Sequence, residues 1–286
     1  MSRIVGIILI LLVVFVVLGV ALPAIYYARA EEEMRRCQDH LRQIGLNGIF
    51  QATLPNQPLP LKAQNYFPPG TLVNAQLTPE RRMSWYVLIL GALEQGSPDP
   101  GHARKKPSPI AEMLGAIDIQ KPWDAAENLP LAQLRLNVAL CPGRIPLAAE
   151  GQPALTSYVG NGGLGNDTAA LSLEEAGAKA GVFRYDSQTP LDLILKGDGL
   201  SNTISFLETN REPSPWMRGG PATIRCLDTA VEPYLGPGAP FGDCHRGRGN
   251  FAFADGSVRI LTDKTSPAFF RSLLTIRGGE QAADFN

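Results

Sequence analysis

The sequence predicts an α+β protein. Three observations carry that expectation. An apolar run near the start flows directly into an amphipathic helical pattern. Short apolar–polar alternations follow further on, and one pair of them flanks an Asp-Gly dipeptide. The 286 residues also include 29 Gly and 24 Pro, above average usage. That abundance predicts many turns and short strands in place of a long helical bundle. Hairpin-linked strands after a long helix point to an antiparallel sheet. A chain of this length can bury a sizeable core.

The first element is the most decisive. Residues 4–25 are 22 uncharged positions in a row. A bilayer core takes about 20 apolar residues in a helix, whereas a secretory signal has a shorter apolar stretch of about 7–15. Ala28-Arg29-Ala30 resembles a small-residue cleavage site, but the length favours an uncleaved single anchor. The run has no polar face to meet water, which argues against a buried soluble helix. Residues 1–30 are therefore expected as the anchor and 31–286 as the main domain. Beyond the run, Met34, Cys37, Leu41 and Ile44 recur at helical spacing, so span and extension read as one helix over about 4–48. Pro23 is expected to kink it, and Gly45 and Gly48 to weaken its last turns. Counting Lys and Arg alone, Arg29, Arg35, Arg36 and Arg42 against Arg3 would place the main domain in the cytoplasm.

A second helix is expected from Thr78-Pro79 through SWYVLILGALEQ to Gly96. SPDPGHARKKPSP reads as a solvated loop. PWDAAENLPLAQLRLNVALCPG reads as a short helix and then a strand ending at Cys141. ALTSYVGNGGLG reads as a strand into a glycine turn, AALSLEEAGAKAG as a weak helix, and NTISFLET as a half-buried strand. NFAFA and SVRIL form a hairpin around Asp255-Gly256. PAFFRSLLTI is the last helix, started by Ser266-Pro267.

Function classes narrow quickly. A formal net charge of −1 supplies no field for nucleic acid. GNGGLG, with Asp186 beyond it, fits the spacing of a dinucleotide-binding loop, but the surrounding segments are short and Pro-interrupted where that fold needs alternating β-α units. No nucleotide and no cofactor is expected. Cys244 and His245 are adjacent, so on a strand they would face opposite ways, a poor nucleophile and base. His40 and His102 lie in other segments. A zinc site from Cys226, Cys244, His245 and Asp243 has unconvincing spacing. Asp198-Gly199 and Asp255-Gly256 read as turns, in which Asp bonds its own backbone. Glu208 is a further carboxylate, and a Ca²⁺ site from such turns plus carbonyls is the alternative. In an exported domain four cysteines suggest two disulfides, with three pairings open. Cys226 and Cys244 bracket a short loop, and Cys37 with Cys141 would tie the long helix to the body.

Several segments together resemble a bacterial pilin-like family of unknown function with an H-x9-DG signature. His245 stands nine residues before Asp255-Gly256. LPAIYYARAEEEMRRCQDHLRQIGL, FPPG at 67–70, SWYVLILGALEQ, KPWDAAEN, ALCPG, TSYVGNGG, GDGLSNTISFLE and TIRGGE are similar to that family's segments, in order. The resemblance implies a type IV pilin-like architecture, a long N-terminal transmembrane helix packed on an antiparallel sheet. It implies a single-pass protein of the cytoplasmic membrane with its main domain outside, against the arginine count, and partners that are the membrane and other envelope or pseudopilin-like proteins. Its turn-and-strand element contributes Asp198, Gly199, Ser201, Asn202 and Glu208. Its signature contributes His245, Asp255 and Gly256, with Asn250 expected to bond at the hairpin entrance and His245 to bond across to the Asp255 region. All these roles are structural, so no enzyme is expected. The start SRIVGIILILL has neither the Gly-Phe junction nor the glutamate of a prepilin, which favours a fixed, anchored protein over a processed filament subunit. An envelope Ca²⁺- or glycan-binding module is a further alternative.

Overall fold

The fold comes from a computed structural model that describes residues 2–50, 65–95, 109–143, 148–209, 211–242 and 244–279. The first helix, α1 (Ser2–Phe50), is continuous through Pro23. Its large apolar side chains from Ile4 through Phe15 to Ile25 are exposed, whereas Met34, Cys37, Leu41 and Ile44 are buried. The helix is long and apolar enough to cross a membrane. Gly45 and Gly48 do not end it. A Cβ at Gly48 would lie 2.8 Å from the Phe206 ring, so this glycine lets the helix press closely on the sheet.

The remaining helices are α2 (Trp85–Gln95), α3 (Pro109–Ala116), α4 (Leu129–Ala132), α5 (Leu173–Ala176), α6 (Leu191–Lys196) and α7 (Pro267–Ser272). Helix α2 starts later than the sequence suggests. Pro79–Arg81 forms a separate 3₁₀ turn, after which Met83 and Ser84 bridge to Arg218 and Thr71. The Arg82 side chain turns back to the carbonyls of Asn74 and Leu77. Helix α3 was not expected. Much of the loop before it, with His102, lies outside the described residues, as do 51–64.

The strands are β1 (Tyr66–Phe67), β2 (Leu155–Thr156), β3 (Tyr158–Leu164), β4 (Thr189–Pro190), β5 (Ile204–Glu208), β6 (Ser214–Pro215), β7 (Ile224–Leu227), β8 (Arg248–Phe253) and β9 (Val258–Thr262). Two short pairs, β1 with β4 and β2 with β6, flank a five-stranded sheet of order β7-β3-β5-β8-β9. That sheet is mixed and not fully antiparallel, because β7 runs parallel to β3. A strand expected before Cys141 is a 3₁₀ turn, Asn137–Ala139. LDLILK is the helix α6.

The largest correction concerns GNGGLG. These residues form most of β3, between β5 and β7, and are not a surface turn. Gly163 takes φ +99°, where the register with β7 shifts. The tight turn is displaced into the middle of the sheet as a bulge. The expected strand NTISFLET is β5, but it is buried at every position, because the sheet is covered on both faces. One core joins Cys37, Leu41 and Ile44 of α1 to Trp85–Leu90 of α2, Phe183 and Phe206. The opposite core gathers Leu207, Phe251, Phe253, Phe270 and Leu273. Alternation along β8 sends Phe251 and Phe253 to one side and the small Ala252 toward α1.

Candidate functional site

Four separate stretches of chain converge beneath α1. The helix delivers Cys37. Cys141 follows the 3₁₀ turn, and its backbone N–H donates to Ser157 Oγ at 2.6 Å. Glu208 is the last residue of β5. Cys244 and His245 lie in the turn before β8. All five residues are buried. The Cys37 thiol donates to the Cys141 sulfur at 2.7 Å, and Cys244 also hydrogen-bonds that sulfur. His245 Nε2 is 3.2 Å from Cys141 Sγ and 3.2 Å from Glu208 Oε1. The donor atoms of Cys37, Cys141, Glu208 and His245 all lie within 4.8 Å of one another.

Electrostatics make Cys141 the centre of the group. Hydrogen bonds from Cys244, from Cys37 and from the His245 imidazole stabilise its thiolate and pull its pKa far below the usual thiol range. Cys37 and Cys244, as the donors to that thiolate, are pushed far up, with burial adding to the shift. Burial opposes charge on His245, but the Cys141 sulfur and the Glu208 carboxylate outweigh it and raise the imidazole to about 10. Burial raises Glu208, partly countered by His245 and the Asn250 backbone N–H.

The sequence-derived expectations fare unevenly. Cys226 and Cys244 do not meet. Cys226 lies on β7, where a Cβ at Gly162 would be 2.5 Å from its sulfur, while Cys244 joins Cys37 and Cys141. None of the four cysteines is disulfide-bonded in the structure. Cys244 and His245 do not face opposite ways. They sit in a turn where Arg246 and Gly247 take φ +55° and +78°, so both reach Cys141. Asp243, the other residue weighed for zinc, lies outside the described residues.

His245 bonds Glu208 and not the Asp255 region, because β8 separates the two and places them at opposite ends. Asn250 likewise donates to Glu208 on the neighbouring strand, not at the hairpin entrance. Asp255-Gly256 does form the turn: Asp255 Oδ1 accepts from the Ser257 N–H at 2.8 Å, and Gly256 takes φ +83°. Asp198 holds the C-terminal segment. Its carboxylate accepts from Thr275 Oγ1 at 3.0 Å and from the Gly278 and Gly279 N–H groups at 2.8 and 3.2 Å. Those partners are donors, so the carboxylate is occupied in a way that disfavours Ca²⁺. Gly199 takes φ +91°, Asn202 Nδ2 bonds the Asp198 carbonyl at 3.1 Å, and Ser201 is exposed on the same 3₁₀ turn.

Sequence reasoning missed the convergence because its members stand at 37, 141, 208 and 244–245. Only the adjacency of Cys244 and His245 signalled it locally. The same turn and the first residue of β8 also grip α1. The Arg246 guanidinium lies 4.4 Å from the centre of the Tyr26 ring, and Arg248 Nη2 donates to Glu31 Oε1 at 2.7 Å.

The class defined is an α+β protein in which one helix, long and apolar enough to cross a membrane, docks by its second half onto a mixed sheet with a buried thiol–imidazole–carboxylate cluster. Residues 29–231 match the family described as "Protein of unknown function (DUF1559)", and the chain belongs to that family. The matched range takes in Cys37, Cys141 and Glu208 and ends before His245. No curated protein and no solved structure matches the chain.

Proposed function

We propose that this chain is a membrane-anchored, non-enzymatic envelope protein of pseudopilin-like design. Its domain stands on the extracytoplasmic side of the cytoplasmic membrane and makes protein contacts, in the setting of a type II secretion or pilus-like system. The observation that carries the reading is the two-part use of α1. One continuous helix exposes its apolar first half and buries Met34, Cys37, Leu41 and Ile44 of its second half against the body. A helix built this way transmits the position of the anchor rigidly to the domain. The pilin-like resemblance of the segments from Leu22 to the C-terminal TIRGGE supports the same reading. A scaffold role is supported by the reactive groups as well, since the buried thiols, imidazole and carboxylate bond one another.

The test is a pair of C-terminal reporter fusions, one active outside and one inside the cytoplasmic membrane, with mass spectrometry of the mature N-terminus. Membrane fractionation, an active external reporter and an unprocessed start are expected. An active internal reporter would overturn the topology. Cleavage with N-methylation would replace the fixed anchor by a filament subunit.

A further inference from the structure

The buried cluster under α1 has the composition of a metal site. We propose that Cys37, Cys141, His245 and Glu208 hold a divalent transition-metal ion of the zinc class, which clamps the anchor helix to the sheet. Two sulfurs, one imidazole nitrogen and one carboxylate oxygen are the donors that such an ion takes in tetrahedral sites, and thiolates select it over Ca²⁺ and Mg²⁺. Ligands about 2.0–2.3 Å from one ion lie about 3.3–3.8 Å from each other. The imidazole nitrogen is already 3.2 Å from both Cys141 Sγ and Glu208 Oε1. The Cys37 and Cys141 sulfurs, at 2.7 Å, would part by about 1 Å to admit the ion.

The surroundings support the same reading. Glu208 Oε2 is fixed by the Asn250 N–H and Nδ2 at 2.9 and 3.0 Å, which leaves Oε1 for the centre. Outer partners of this kind orient metal ligands. Cys244, buried next to His245 in the chain, is not one of the four gathered donors. A groove lined by Arg36, His40, Asn137, Leu140 and Pro142 reaches Cys141 and offers an entry path. Binding would deprotonate Cys37 as well as Cys141, and the ion would offset two buried thiolates and a carboxylate, which are costly without a cation. A disulfide between Cys37 and Cys141 would consume two donors and leave Cys244, His245 and Glu208 gathered around no common partner. The ligands come from α1, the segment after the 3₁₀ turn, β5 and the turn before β8, so one ion would join the helix to three parts of the body.

The experiment uses the full chain in detergent, reduced, stripped with a chelator and titrated with Co²⁺ and then Zn²⁺. One equivalent per chain is expected, with sulfur-to-cobalt absorption and the visible bands of tetrahedral cobalt, both bleached by Zn²⁺. Cys37→Ser, Cys141→Ser and His245→Gln should each weaken binding roughly tenfold or more. Cys226→Ser and Cys244→Ser should keep the cobalt spectrum. Absence of the bands from a reduced wild-type chain with native circular dichroism overturns the site, whatever the variants do. A Cys37–Cys141 disulfide in a chain that takes no metal after reduction also overturns it. Loss of the bands in Cys244→Ser overturns the four-donor set.

Discussion

Asn250 donates twice to one oxygen of Glu208, through its backbone N–H at 2.9 Å and its Nδ2 at 3.0 Å. Both residues are fully buried, so this carboxylate depends on protein donors in place of water. Removing a partner from a buried acceptor costs about 1–3 kcal/mol. Asn250→Ala is expected to lose that much stability in denaturant unfolding of the full chain in detergent. Asn250→Asp should lose more, because it sets a second carboxylate against the first. An Asn250→Asp chain as stable as Asn250→Ala at neutral pH would contradict the contact between position 250 and the Glu208 carboxyl.

Gly163 makes a sharper test of the bulge in β3. A Cβ there would lie 2.2 Å from the Lys179 carbonyl oxygen and 2.4 Å from the Gly181 nitrogen, both backbone atoms, at φ +99°. Neither the strain nor the collision can be relieved by rotating a side chain. Gly163→Ala is expected to abolish the protease-resistant fold. Gly165→Ala is the control. It also has positive φ, +110°, but its nearest neighbour is the Thr168 hydroxyl at 3.0 Å, so only backbone strain of about 1–3 kcal/mol should remain. Limited proteolysis of both variants checks the contrast, and equal tolerance would place GNGGLG outside the sheet.

Local signals explain what the sequence made legible. The apolar run of α1, the spacing of Met34, Cys37, Leu41 and Ile44, and the Asp255-Gly256 hairpin each depend on neighbouring residues, and each is found. The parallel pairing of β7 was not legible, because it joins Ile224–Leu227 to β3 across some 60 residues of sequence. GNGGLG was misread because its glycines answer to tertiary crowding from Phe183, Ile224 and Cys226, which composition does not encode. The buried cluster was invisible for a similar reason. Cys37 and Cys141 are 104 residues apart and have no spacing motif. Cys244 and His245 looked divergent only on the assumption of extended backbone.

The base of the helix offers a pH test. Glu31 titrates below its ordinary value of 4.5, first because Arg248 hydrogen-bonds it and then because of the Arg248 charge. A depressed carboxylate contributes its stability above the unfolded value and loses it as pH falls through the folded one. The Glu31–Arg248 contact should therefore be whole at neutral pH and weaken only below about pH 4.5. Arg248→Ala should return the Glu31 titration, followed by carboxyl NMR, toward 4.5. An unchanged midpoint would mean that the start of β8 does not hold the helix at this point.

The hairpin tip and the helix meet at Gly256 and Leu46. A Cβ at Gly256 would lie 2.9 Å from Leu46 Cδ2, and Gly256 has φ +83°. Gly256→Ala therefore suffers two separable penalties. The left-handed backbone costs about 1–2 kcal/mol for any residue with a Cβ, while the clash depends on a flexible leucine. Leu46→Ala removes the second penalty and leaves the first. In a double-mutant cycle, Gly256→Ala should thus destabilise the Leu46→Ala chain less than the wild type, by a coupling of about 0.5–1 kcal/mol. Denaturant unfolding of the four chains measures it. Strict additivity would separate the hairpin from the helix. The predicted coupling would tie the Asp-Gly turn to the same helix that Cys37 holds from below, so that β8 would brace α1 at both of its ends.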